Sequence, residues 1–340
     1  MATTVPTVTT VSPGPAPMPT GRASPVAGGV PAAWLLVAAG VALGLALRLP
    51  IATTVLGLAA FGVLHNVLEL RYVLGRFDAI LTEPFLWLLL GLISGVVACR
   101  LLPPAFGRPA EIVLCYSRLG VACGWVWRHR RRWLLAGALG LLALAGAASL
   151  AFPAYHFVVF THLHNVVPLF FLWQWSASLP TGRAAVRAVS VGWVLGVPVL
   201  LLAGVFDRWL HVSGTGLAGF GGGNGFGVAR VAGPLTPPVW VDTTLAVRFL
   251  AVFAFLQTMH YVVWVGVLPR YAPEAAARVP VLRGRRVWLV GIAGGLALGV
   301  LFALDYATGK TLYAAVASYH AYLEFPVLLA LILGSQGVHR

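Results

Sequence analysis

The sequence predicts an all-α, polytopic transmembrane bundle of about ten helices, with both termini cytoplasmic. Three observations lead there. The chain is 59% hydrophobic and only 9% charged, with a mean hydropathy of +0.89. It contains ten apolar stretches near the length that crosses a bilayer, about 20 residues. Its arginines gather at the ends of those stretches. Soluble proteins carry roughly 25% charged residues, so a single soluble core is excluded.

Residues 1–29 are rich in Thr, Pro and Gly and hold one charge, Arg22. They lack the charged start and early apolar core of a signal peptide, so a disordered cytoplasmic tail is expected. Residues 30–336 then form one transmembrane domain. Its expected spans are 31–49, 51–73, 80–102, 109–127, 133–152, 155–178, 186–206, 243–268, 287–306 and 312–335.

Segment 109–127 is interrupted by Glu111 and Arg118 but is kept, because the basic loops require it. With ten spans, Arg71 with Arg76, the Arg128–Arg132 cluster, Arg183 with Arg187, and Arg270 through Arg286 all fall on the cytoplasmic side. Arg48, Arg100 and Arg108 lie outside, a minority of the charge. The net charge of +14 therefore reads as topology rather than affinity for nucleic acid, since no basic patch is interleaved with exposed aromatics.

The outer loop 207–242 is glycine-rich and formally contains G-x-G-x-x-G, from Gly214 to Gly219, with Asp242 beyond it. A dinucleotide site needs a strand before that motif and a helix after it. Here it follows a membrane span, and a flexible loop covering an opening is expected. Cys99, Cys115 and Cys123 form no C-x-x-C and read as small buried residues.

Ionisable groups at membrane depth mark functional sites. Histidines 65, 162, 164, 260 and 320 lie in the second, sixth, eighth and tenth spans, which all run from outside to inside. Parallel helices can aim side chains into one cavity. His65 has Glu69, and His320 has Glu324, four residues on and so on its own helical face. Each carboxylate either orients a metal-bound imidazole or ligates the metal itself. Without a metal, each pair is a buried imidazolium–carboxylate bridge.

His162 and His164 are two apart and point to nearly opposite sides of a helix. His162, with Asn165 on its face, is preferred as the ligand, and His164 is the second candidate. Pro168 removes the amide that would bond the His164 carbonyl, so a bend and a polar notch are expected. Gln257 shares a face with His260 and is placed to orient it or a water. Tyr261 and Trp264 read as a packing stripe. His129, His156, His211 and His339 are expected to lie outside the site, and Asp207, Asp305 and Lys310 to be surface charges. Relative to the span centres, His65 and His260 are displaced from His162 and His320 by on the order of 10 Å along the membrane normal. Such a gap would suit two bis-histidine haems better than one ion.

The motifs His65-x-x-x-Glu69, His162, His260 and His320-x-x-x-Glu324 resemble, in order, those of the Brp/Blh family of bacterial β-carotene 15,15'-dioxygenases. The resemblance covers about a tenth of the chain. It implies a bacterial inner-membrane protein whose histidines hold iron, which with oxygen splits a carotenoid to retinal. This chain has Glu where the family has Asp, Trp264 where a second histidine follows His260, and more helices. The first expectation is thus a non-haem iron oxygenase acting on a lipophilic substrate from the bilayer. The others are a bis-histidine haem subunit of a redox complex and a transporter or channel with a His/Glu proton or metal path.

Overall fold

A computed structural model describes residues 29–127, 132–211, 227–273 and 284–334. The expected tail, the Arg128–Arg131 cluster with His129, most of the glycine-rich stretch (212–226), most of the Arg270–Arg286 loop and His339 lie outside the described residues. The described residues contain no strand. They form ten long helical rods: α1 (Gly29–Arg48), α2 (Pro50–Arg76), α3 (Glu83–Cys99), α4 (Pro104–Trp127) and α5 (Arg132–Ala151), then α6 (Pro153–Ser176), α7 (Arg183–Leu202), α8 (Thr244–Tyr271), α9 (Arg285–Leu304) and α10 (Tyr306–Gly334). Each matches one expected span, and the chain is built as an integral membrane protein.

Eight rods, all but α3 and α4, are long and apolar enough to cross a membrane. The two exceptions follow from composition. α3 has only 17 residues. α4 carries Arg108, Glu111 and Arg118, and turns Glu111 and Arg118 inward, where both are buried. Hydropathy averaged around the helix misses a rod that buries two of its three charges inside the bundle.

Several prolines stand where they do least harm, although Pro109 and Pro326 lie inside α4 and α10. Pro50, Pro84 and Pro153 stand in the first turn of a rod, where the missing N–H has no helical partner to lose. Pro198 and Pro269 each follow a single wide π turn, at Gly192–Gly196 and Val262–Val267. There the next amides reach back five residues, Val197 to Gly192 and Leu268 to Val263. Such turns re-aim side chains and are frequent at functional sites. The second one lies directly after His260.

α8 is the most buried of the eight apolar rods and α5 the least. α8 packs against α1, α2, α6 and α7, while α10 packs against α2, α3, α4 and α9. α9 meets α2 through small residues. A side chain at Gly291 would fall 2.6 Å from the Leu64 side chain, so this close approach needs glycine. Residues 227–243 do not form a loose outer loop. A short helix, Val228–Ala232, and two 3-10 turns fold back so that Val231 and Leu235 pack with Ile51, Val55, Leu250 and Phe302.

Two residues expected as plain surface charges have partners. Arg248 forks onto Asp207 and also donates to the Leu202 carbonyl, 2.9 Å. Asp305 caps α10 by accepting from the Thr308 hydroxyl and the Ala307 and Thr308 amides. Those bonds, the hydroxyl first, hold its carboxyl below the usual range.

Gly204 ends α7 with φ +80° and lies against the Arg248 guanidinium. Gly204→Ala is expected to destabilise the protein by about 1–2 kcal/mol from backbone conformation alone. A lowered Tm in detergent checks this, and an unchanged Tm would show that the turn relaxes.

Candidate metal centre

Four imidazoles meet in the middle of the bundle. His65 comes from α2, His164 from α6, His260 from α8 and His320 from α10, and one nitrogen of each lies within 4.8 Å of all the others. An ion with about 2.1 Å bonds to imidazole nitrogens sets tetrahedral neighbours roughly 3.4 Å apart, so the spacing is of the right order. The four helices are longer than their most apolar stretches, which places each histidine within three residues of its helix midpoint. The expected gap in depth therefore does not exist.

Hydrogen bonds fix the direction in which the lone pairs point. His65 Nδ1 is 3.0 Å from the Phe61 carbonyl. A carbonyl only accepts, so Nδ1 carries the proton and Nε2 presents a lone pair. His164 Nδ1 is 2.8 Å from Glu324 Oε2, within a fully buried carboxylate, and its Nε2 is likewise left as a lone pair. His320 Nε2 lies 3.2 Å from both of these nitrogens. One proton on it can serve only one of them. Its Nδ1, and both nitrogens of His260, make no hydrogen bond. Buried polar groups without partners are rare and call for a water or an ion; here the donor set suits a cation.

The carboxylates are deployed differently from the simplest expectation. Four-residue spacing suggested that each serves the histidine of its own helix. Instead Glu324 of α10 bonds His164 of α6, and Glu69 of α2 lies 3.5 Å from His260 Nε2 of α8. The latter is a charge contact rather than a hydrogen bond. The two carboxyl groups also lie within hydrogen-bonding reach of each other. A carboxylate on the far nitrogen of an imidazole fixes its tautomer and raises its basicity as a ligand.

His162 is not in the cluster. Its ring turns the other way, and Nε2 is 2.8 Å from the Leu235 carbonyl, where it ties α6 to the folded-back segment. The two histidines point to opposite sides of α6 as expected, but it is His164, not His162, that joins the cluster. Asn165 bonds the Thr161 carbonyl of its own helix, 3.2 Å, and lines the cavity beside the cluster without touching a ligand nitrogen. At Pro168 the His164 carbonyl is not left open, because the Val167 amide bonds it at 3.2 Å. Gln257 does not orient His260. Its amide donates to Tyr261 Oη at 2.8 Å and to the Thr54 carbonyl at 3.3 Å. That holds Tyr261 against His65, with ring centroids 4.6 Å apart.

A cavity of about 180 Å³ opens beside the imidazoles, lined also by Gln257, Tyr261, Tyr313 and Phe160. Around it stands a polar network that sequence reasoning missed. Glu111 accepts from Arg100, 2.7 Å, and from the Tyr322 hydroxyl, 2.6 Å. Arg118 lies over the Tyr322 ring, 4.4 Å from its centroid. The signal was available: Glu111 and Arg118 are seven apart, two helical turns, and so share one face.

His164→Ala is expected to abolish stoichiometric metal binding, whereas His162→Ala keeps it. Elemental analysis of the two purified variants distinguishes them, and equal metal content would dissolve the assignment. Glu324→Gln, which leaves a side chain of the same size, is expected to weaken metal affinity by about 10–100-fold in competition with a chelator. No family model, curated protein or solved structure matches the chain, so the geometry of the centre itself carries its interpretation.

Proposed function

We propose that the protein is a membrane-embedded, metal-dependent oxygenase. In this reading His65, His164, His260 and His320 hold iron, and the substrate is a lipophilic molecule arriving from the bilayer. The observation that carries it is the convergence of imidazole lone pairs on one point, with tautomers set by the Phe61 carbonyl and the Glu324 carboxylate. Charge supports it too. The carboxyl groups of Glu69 and Glu324 beside two of the imidazoles supply negative charge that offsets the cost of a cation in the middle of a bilayer.

Bound iron supplies oxygen activation. The chain's own groups do the rest. Glu324 orients the His164 imidazole, and Glu69 lies 3.5 Å from that of His260. Tyr261, held by Gln257, walls one side of the cavity. Its small volume admits a reacting segment and excludes bulk water. The resemblance to the β-carotene dioxygenases rests on the motifs of His65, His162, His260 and His320, of which all but His162 supply a histidine to the cluster, and it makes a carotenoid the first substrate to try.

The two other readings draw less support. A bis-histidine haem needs a flat macrocycle between two imidazoles, but neighbouring rings here have centroids 4.6 to 5.2 Å apart. A conduction path needs groups in file across the membrane, whereas these four meet at one depth.

Purified protein is expected to contain about one iron per chain and no Soret band. A Soret band, or stoichiometric zinc without iron, would overturn the oxygenase reading. In a β-carotene-producing host, expression is expected to bleach the pigment and yield retinal, and His320→Ala to leave it coloured. Unchanged pigment with iron bound would retain the metal and reject the carotenoid.

A further inference from the structure

A second cavity, of about 590 Å³, lies between α4, α5, α6 and α10. Its walls are mostly apolar, and Phe152, Val159 and Leu163 at its rim are exposed. In an integral membrane protein, exposed apolar side chains of this kind face lipid, so the cavity is a groove open to the bilayer. One end of it is polar. Arg118 lines it, fully buried, with Nε and Nη1 making no hydrogen bond and Nη2 near only the Cys115 sulfur, 3.5 Å. His156 lines it too, its Nδ1 3.1 Å from Ser149 Oγ and its Nε2 unpartnered.

The charge around Arg118 does not balance. Glu111 is the one carboxylate in the network, and Arg100 takes it in a close ion pair. Arg118 has only the face of Tyr322. An arginine unpaired at this depth is costly, and a guanidinium is suited to a carboxylate. The groove also has the volume of a single ligand of modest size, which favours one hydrocarbon chain over two.

We infer that this groove binds a single-chain amphiphile with a carboxylate head, of the long-chain fatty acid type, taken from the bilayer. The carboxylate sits at Arg118 and His156, and the tail lies along Val159, Leu163 and Phe325. Phe160, stacked on Tyr322 with centroids 4.6 Å apart, lines both this groove and the cavity beside the histidines. The inference does not rest on which ion the histidines hold.

The test uses the full-length protein in nanodiscs and a fatty acid carrying a photo-crosslinker in its tail. Saturable labelling is expected on α4, α5, α6 or α10 residues of the groove. Oleate should compete about tenfold or more better than oleyl alcohol, which has the same tail and no charge. Arg118→Gln should remove that preference. Ala148→Phe, which fills the groove from its exposed side, should reduce labelling with Arg118 intact, and covers the case in which Arg118→Gln does not fold. Equal competition by the alcohol, unchanged labelling in a folded Arg118→Gln or Ala148→Phe protein, or equal competition by a two-chain anionic phospholipid would each overturn the proposal. None of these readouts depends on metal or turnover, so its failure and that of the oxygenase reading are separable.

Discussion

The structure depends on a constraint at the centre of the bundle: an imidazole has two nitrogens, and at bilayer depth no bulk water satisfies either. Two of the four histidines, His65 and His164, spend one nitrogen on the protein and leave the other to face a cation. His65 spends its first on the carbonyl one turn back in its own helix. His164 spends its first on a carboxylate from another helix. These bonds set tautomers as well as ring orientation, which is why the Nε2 atoms meet. The His164–Glu324 bond also ties α6 to α10, so the site and the packing of these two helices are set together.

The crossing of the carboxylates follows from helix geometry. A glutamate four residues after a histidine shares its face, but both side chains then point into the same space between helices. The shortest route for the carboxylate is forward, to the helix opposite. Glu69 and Glu324 therefore act between helices, where a bond contributes to assembly as well as to the centre. Isolated apolar helices have little hydrophobic reason to associate in lipid, and buried polar contacts and close packing supply what is missing. The glycine-lined contact of α9 with α2 and the Arg100–Glu111–Tyr322 network at α3, α4 and α10 serve the same end.

The breaks in helical regularity are local and have identifiable causes. Pro198 and Pro269 remove amides, and the chain answers with wide π turns that keep neighbouring carbonyls bonded five residues on. The answer at Pro168 is a tightened turn instead. The wide turn after His260 shifts the helix phase immediately beyond a ligand, so that Trp264 packs against Tyr72 and Phe171 in the core. The fold thus accommodates a deeply placed histidine and a proline-bearing helix end within one continuous rod.

Much was legible in the sequence. Composition and apolar run length determined an all-α membrane bundle, because a bilayer admits few other structures, and located nine of the ten rods; α4 needed the placement of the basic loops as well. Burial cost alone singled out His65, His260 and His320 with Glu69 and Glu324. What the sequence left open was rotation and depth. His162 and His164 are both plausible on one helix, since periodicity says that they diverge but not which neighbour each will meet. The assignment of His162 to the Leu235 carbonyl and of His164 to the centre is decided by how α6 is turned against α8 and α10. Depth read from apolar boundaries separated histidines that the full helix lengths bring level. The pairing of carboxylates across helices and the unpaired Arg118 at the lipid-facing groove are likewise tertiary facts. They depend on which faces meet, and no local pattern records that.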